Sequence, residues 1–147
     1  MIEIINGNLL CSDANFICHQ VNPNGIMGRG VAGQIKRKWP EVYSEYKEYC
    51  HGKTCKYLLG KITMHELETG QIVVNLFGQT SLTNYEALNK CFSALANYIA
   101  DYKLTGAIVA MPYGIGCGFG GGDWNIVHSM IENCFKGIAV VHLYKYE

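Results

Sequence analysis

The sequence predicts an α/β fold, a three-layer α/β/α sandwich around a mixed, mostly parallel central sheet. Three observations carry this expectation. Short apolar runs alternate with amphipathic, helix-period stretches along the whole chain. Two of those runs, ending near Val21 and Met111, each deliver the chain into a glycine-rich loop that opens onto a helical pattern. The 147 residues, with 49% hydrophobic and 16% charged side chains, suit one domain over residues 1–147 with a sizeable core.

The elements follow in order. Residues 1–5 form a short apolar strand closed by the turn signal Asn6-Gly7-Asn8. Residues 15–21 read as a second, buried strand with His19 near its end. Val31, Ile35 and Trp39 recur every fourth residue, which predicts a helix from about Gly30. Pro40 stops that helix at the residue before it and suits the first turn of another, running to about Cys50. Tyr57 to His65 and Gln71 to Phe77 are β-rich runs around Glu68-Thr69-Gly70, an antiparallel hairpin in an otherwise parallel sheet. From Asn84 to about Lys103, Leu88, Cys91, Phe92, Leu95, Ile99 and Tyr102 mark one face of a long amphipathic helix. Residues 107–111 are a fully apolar strand, Val127, Met130, Ile131 and Cys134 mark a last helix, and residues 138–144 a closing strand.

The two loops carry the chemistry. In His19 to Lys36, glycines at 25, 28 and 30 let backbone N–H groups approach a ligand, and the helix start behind them favours an anion such as phosphate. In Pro112 to Trp124, six glycines lie between positions 114 and 122, again after a strand and before a helix. Two cradles at the carboxyl ends of strands suit a diphosphate between two sugars better than a single phosphate. Gly28-Arg29-Gly30-Val31-Ala32-Gly33 also matches the dinucleotide fingerprint G-x-G-x-x-G. However, loop residues separate it from the strand, and residues 48–55, about twenty positions on, do not read as the end of a second strand. Asp123 sits where an N-cap belongs, a role worth about 1 kcal/mol, and acid–base work is its other reading. His19 is either a hydrogen-bonded histidine at a strand end or a ligand contact, and Lys36 either a solvated helix lysine beside Arg37 and Lys38 or a functional amine.

Composition excludes several classes. Twelve basic and twelve acidic residues balance, which argues against a non-specific polyanion binder and against extensive nucleic-acid contact. Seven cysteines without paired spacing argue against a disulfide framework, and Cys50-His51 with Cys55 fits no common zinc pattern. No signal peptide or long apolar segment is present, so a cytoplasmic protein with reduced thiols and no membrane contact is expected.

Taken together, these residues resemble the macrodomain family of ADP-ribose binders and hydrolases, with motifs in matching order from Gly7 to Tyr144. Gly7-Asn8-Leu9 resembles the family's Gly-Asp-Ile/Leu, which contacts adenine; Asn8 replaces the usual Asp, and its side-chain oxygen can still accept a hydrogen bond. Asn22 matches the asparagine that holds the distal ribose. Gly25, Met27, Gly28, Gly30 and Val31 match the first phosphate loop; Tyr113, Gly114, Ile115, Gly116, Cys117, Gly118 and Phe119 match the second. Tyr144 is the expected adenine neighbour, with Tyr146 the other choice. The Met27-Gly28-Arg29-Gly30 stretch with Lys36, and Gly116-Cys117-Gly118, are most similar to the terminal ADP-ribose protein glycohydrolase branch; Gly7-Asn8, His19 and the Gly-x-Gly loop are also similar to the yeast-type ADP-ribose 1″-phosphate phosphatase. In the glycohydrolase branch a lysine matching Lys36 attacks the distal ribose carbon, assisted by an aspartate where this chain has Gly120.

The resemblance therefore implies hydrolysis of an ADP-ribosyl linkage at the distal ribose C1″, with Lys36 as nucleophile or electrostatic catalyst and Asp123 or His19 as acid–base partner. Removal of phosphate from ADP-ribose 1″-phosphate and non-catalytic reading of ADP-ribose are the alternatives. The expected partner is ADP-ribose or an ADP-ribosylated protein, nucleic acid or nucleotide, bound by a monomer without metal or cofactor.

Overall fold

The computed structural model describes residues 1–146. Six strands form one sheet in the order β1-β6-β5-β2-β4-β3. They are β1 (Ile2–Asn6), β2 (Phe16–Gln20), β3 (Ile62–Glu66), β4 (Ile72–Leu76), β5 (Ile108–Pro112) and β6 (Val140–Lys145). The neighbours β1/β6, β6/β5, β5/β2 and β2/β4 pair in parallel; only edge strand β3 is antiparallel, to β4. The expected mixed, mostly parallel sheet is present, and strands buried on both faces explain why residues 16–20 and 72–76 read as continuous apolar runs.

Helices cover both faces. On one lie α4 (Tyr85–Asp101) and α5 (Trp124–Phe135). The α4 stripe Leu88, Cys91, Phe92, Leu95 and Ile99 is buried in the larger core, with Phe92 edge-on to Phe135 of α5 at 6.1 Å. Truncating Phe92 to Ala would cost about 3–5 kcal/mol by opening a cavity between the two helices. On the other face lie α1 (Gly30–Lys38) and α2 (Pro40–Cys50), which bury Ile35 and Val42 against Ile17 and Val73. Pro40 is the first residue of α2 and separates it from α1, as its fixed φ and missing N–H require. No helix among the described residues is long and apolar enough to cross a membrane.

One expected boundary is wrong. The run from Tyr57 is not strand until Ile62: Cys55–Leu58 forms a short helix, α3, whose N-terminus is capped by Thr54 Oγ1 accepting from Tyr57 N. Gly60, at φ +88°, then turns the chain into β3. A β-rich composition yields to a local cap and a turn when the helix is only one turn long.

Candidate functional site

Strands β2 and β5 are neighbours in the sheet, but the chain leaves them towards opposite faces: from β2 to α1 and α2, from β5 to α5. Diverging connections of this kind open a crevice at the carboxyl ends of the two strands. Its walls are residues 21–29 on one side and residues 113–123 on the other.

The first wall is held by its own hydrogen bonds. Asn22 donates through Nδ2 to Ile26 O (2.8 Å) and accepts through Oδ1 from Asn24 N (2.9 Å). From below, the Tyr46 hydroxyl lies 2.6 Å from Asn22 O and 2.9 Å from Asn22 Oδ1. Tyr46 is itself buried and stacked on Phe77 at 5.9 Å. Met27 is buried beside Val21 and Tyr46, so its side chain anchors the loop and only its backbone is available to a ligand. Gly30 takes φ +63° to enter α1. That helix starts at Arg29 with no side-chain cap, whereas Thr54, Asn84 and Asp123 cap α3, α4 and α5 and a proline opens α2. The first N–H groups of α1 thus stay unpaired at the crevice, with the positive end of the helix dipole behind them.

The second wall is clasped from beneath. Gly116, at φ +80°, accepts through its carbonyl from Thr83 Oγ1 (2.7 Å) and from Gly122 N (2.9 Å). Gln20, the last residue of β2, donates through Nε2 to Thr83 Oγ1 (2.9 Å) and Gln79 Oε1 (2.6 Å), tying this loop to the strand that starts the other. Ile115 is buried in the core, and a Cβ at Gly118 would meet nothing within 4 Å. Burial, and then the neighbouring Asp123 charge, push the Cys117 thiol up. Phe119 is 67% exposed at the tip, with the Arg29 guanidinium 3.9 Å over its ring, so the two walls touch there.

Not every candidate side chain is brought to this crevice. Asn8 caps the one-turn helix Leu9–Cys11, its Oδ1 accepting from Leu10 N at 3.0 Å, so one acceptor position is already used; Leu9 is buried in the core. Val31 and Tyr144 pack half-buried against that same cluster. Tyr113, on the crevice side of β5, is 37% exposed and leans on Trp124 with ring centroids 5.0 Å apart. Lys36 is exposed, with its ammonium 4.1 Å over the Tyr43 ring. Tyr43 in turn contacts Tyr46 at 6.4 Å, so two rings link Lys36 to the hydroxyl that supports Asn22.

Asp123 caps α5, its Oδ1 accepting from Asn125 N at 2.9 Å, on the face of the sheet opposite Lys36. His19 is buried, donates from Nε2 to Asn75 Oδ1 (2.6 Å), and has no partner for Nδ1. Burial lowers its pKa to about 4 against the opposing effect of the Asn75 bond, so it is a neutral group inside the sheet layer. His19, sealed in the sheet layer, is therefore not presented to Lys36 as an acid–base partner, while Asp123 has one carboxylate oxygen engaged in capping α5.

The glycine at position 120 has a steric cause. A Cβ there would overlap Thr83 Oγ1 and lie 2.8 Å from Gly116 O, so the loop clasp leaves no room for an aspartate. Thr83, Gln20 and Tyr46 escaped sequence reasoning. Only Tyr46 carried a signal, a hydroxyl on the apolar stripe of α2 that needs a partner when buried.

Comparison with known proteins accords with this architecture. The Macro domain family model matches residues 18–131. A DNA ADP-ribosyl glycohydrolase of Mycobacterium tuberculosis is 31% identical over 96% of this chain and 40% of its own length. An ADP-ribose 1″-phosphate phosphatase of Candida albicans is 25% identical over 90% of this chain and 92% of its own. The solved macrodomain of Mycobacterium tuberculosis DarG superimposes with a TM-score of 0.80 at 27% identity, covering 97% of each chain. This chain spans about 40% of the length of the glycohydrolase relatives it matches. A family model covering most of the chain, together with this sheet order and paired loops, makes the chain a member of the macrodomain family.

Proposed function

We propose that the crevice binds ADP-ribose, with its diphosphate between the two loops, and that the chain hydrolyses the bond joining the distal ribose C1″ to a modified target. The observation that carries this reading is the convergence of the uncapped start of α1 and the clasped Gly116 loop on adjacent strand ends. Both offer backbone N–H groups to an anion without a side chain in the way. Lys36 lies six residues into α1, about 9 Å along its axis at 1.5 Å per residue. Helical side chains lean back towards the N-terminus, so its amine is directed at the distal-ribose end rather than away from it.

In this reading Asn22 orients the distal ribose and Lys36 is the reacting group. Its ammonium rests on the Tyr43 ring, a cation–π contact that holds the side chain in place. To act as a nucleophile it leaves that ring and gives up a proton. The free amine bonds to C1″ as the bond from C1″ to the target breaks, and the target departs with the proton that the lysine gave up. Water then adds to C1″ as the C1″–N bond breaks, releasing ADP-ribose and restoring the ammonium. With Gly120 sterically fixed, Lys36 carries this chemistry without the branch's aspartate. The relatives named DNA ADP-ribosyl glycohydrolases make ADP-ribosylated DNA the first substrate to assay. The phosphatase reading has a relative of matching length, but burial removes His19, one of the two groups that could activate its water, and the other, Asp123, is engaged as the cap of α5.

Calorimetric titration with ADP-ribose, against AMP and NAD, tests the crevice. Lys36→Ala then separates binding from chemistry: retained affinity with lost turnover supports the lysine mechanism, and parallel loss of both makes Lys36 a binding residue.

A further inference from the structure

The two edges of the sheet are guarded differently. At one edge, β3 is half-buried along residues 62–65, and His65 is tied to Glu45 of α2 at 2.9 Å. At the other edge, β1 has no such cover: Glu3, Ile4 and Asn6 are exposed, Ile4 at 59%, and Met1 ahead of them at 75%. The devices that keep an edge strand from pairing are missing as well. Residues 2–6 include no proline and no lysine, and their register with β6 runs unbroken from Ile2↔Val141 to Asn6↔Lys145, so no bulge twists the edge away. The one charged residue, Glu3, is bonded on the sheet face to its register partner His142 at 2.9 Å.

The ladder fixes which backbone groups this edge presents. In a parallel pair, alternate residues of a strand direct both their N–H and their C=O to the neighbour. Met1 O accepts from Val141 N (2.9 Å) and Gly7 N donates to Lys145 O (3.1 Å), so residues 1, 3, 5 and 7 are the ones facing β6. Ile2, Ile4 and Asn6 therefore point their N–H and C=O groups outward, and no other backbone group among the described residues bonds to them. The side chains of Ile2 and Ile4 lie on the α5 face with their register partners Val141 and Leu143, where Ile2 packs against the larger core.

We propose that this edge is a homodimer interface, in which β1 pairs antiparallel with β1 of a second copy about a twofold axis through Ile4. The spacing of the outward groups selects both the partner and the register. Centred on Ile4, the pairs Ile4–Ile4, Ile2–Asn6 and Asn6–Ile2 each exchange two N–H···O bonds, six in all, and use every outward group of residues 2–6. Centring on Glu3 or Ile5 leaves two of those six unmade, and the Glu3 centre also sets two carboxylates directly opposite each other. The Ile4 centre instead places Glu3 opposite Ile5 and brings the two exposed Ile4 side chains together, so no like charges meet. Association stops at two copies, because the twofold consumes both β1 edges and the outer edges of the joined sheet are the guarded β3 strands. Five residues a side fall short of the roughly 1,200 Å² of a standard interface, so the dimer is reversible, in the micromolar range. It replaces the expected monomer, since composition and net charge carry no information about a strand edge, and it does not depend on what the crevice binds.

Sedimentation velocity of the full chain, read from about 2 to 200 µM protein, tests the dimer. Amide hydrogen exchange followed by NMR at the two ends of that range tests the register. The expected result is a rise from monomer to dimer mass, with the Ile2, Ile4 and Asn6 amides exchanging about tenfold more slowly at the higher concentration. The Glu3 and Ile5 amides, already bonded to β6, change little. Ile4→Lys sets two ammonium groups face to face and keeps the chain monomeric throughout the range. Leu82→Lys, which alters a side chain of similar exposure (62%) elsewhere, dimerises as wild type does. Circular dichroism melting checks that both variants fold. A wild-type chain that stays monomeric throughout overturns the proposal. So does a dimer whose three outward amides stay unprotected, or one that Leu82→Lys weakens as much as Ile4→Lys does, because the contact would then lie elsewhere.

Discussion

Restoring the branch's carboxylate by Gly120→Asp is expected to damage the loop rather than improve catalysis. Gly120 is not among the residues with positive φ, so its backbone conformation would accept an L side chain; the obstacle is the neighbouring atoms. A Cβ must push Thr83 Oγ1 aside, breaking its bond to Gly116 O (2.7 Å) and the one it accepts from Gln20 (2.9 Å). Two such bonds at about 1 kcal/mol each, with about 1 kcal/mol or more of overpacking, give a loss of about 3 kcal/mol. At this chain length that lowers the melting temperature by roughly 6–12 °C, at about 2–4 °C per kcal/mol.

Thermal unfolding followed by far-UV circular dichroism reads this directly, and calorimetry with ADP-ribose reads the effect on the cradle. A companion cycle isolates the cause: Gly120→Ala should cost less on a Thr83→Ala background than alone, because the hydroxyl it displaces is already gone. Some cost remains, since Gly116 O would still lie 2.8 Å from the new carbon. A Gly120→Asp protein melting within about 2 °C of wild type would refute the steric account. So would higher turnover with unchanged stability, which would show that the clasp yields readily to the carboxylate.

Four further outcomes follow from the same geometry. Lys36→Ala should lower turnover by on the order of 100-fold or more while ADP-ribose affinity stays within a few-fold, and equal losses in both would displace Lys36 from the chemistry. Gly118→Val should abolish ADP-ribose binding without lowering the melting temperature, because a Cβ there meets no protein atom within 4 Å; retained affinity would mean that the ligand does not occupy the cradle. Tyr46→Phe removes the hydroxyl under Asn22, so ADP-ribose should bind several-fold more weakly, about 1 kcal/mol; unchanged affinity and stability would free Asn22 from that support. His19 has a folded pKa of about 4, below its unfolded value, so the unfolded chain binds the proton first and stability falls as pH drops through about 6.5 towards 4. Between pH 7.5 and pH 5 this amounts to about 2 kcal/mol, measurable by urea unfolding, and His19→Gln should remove most of that dependence; an identical pH slope in the variant would show that His19 does not cause it.

What the sequence disclosed, and what it withheld, follows from the range of the interactions involved. The period of Leu88, Cys91, Phe92, Leu95 and Ile99 announced α4 because the constraint is repeated every turn along one segment. Glycines at 30 and 116 were legible as loop residues because each satisfies a local backbone demand, a positive φ. The helix Cys55–Leu58 was not, since one turn contains no period and only the Thr54 cap distinguishes it from the start of a strand. The clasp was invisible for a different reason: Gln20, Thr83 and Gly116 are far apart in the chain, and none is an unusual residue where it stands.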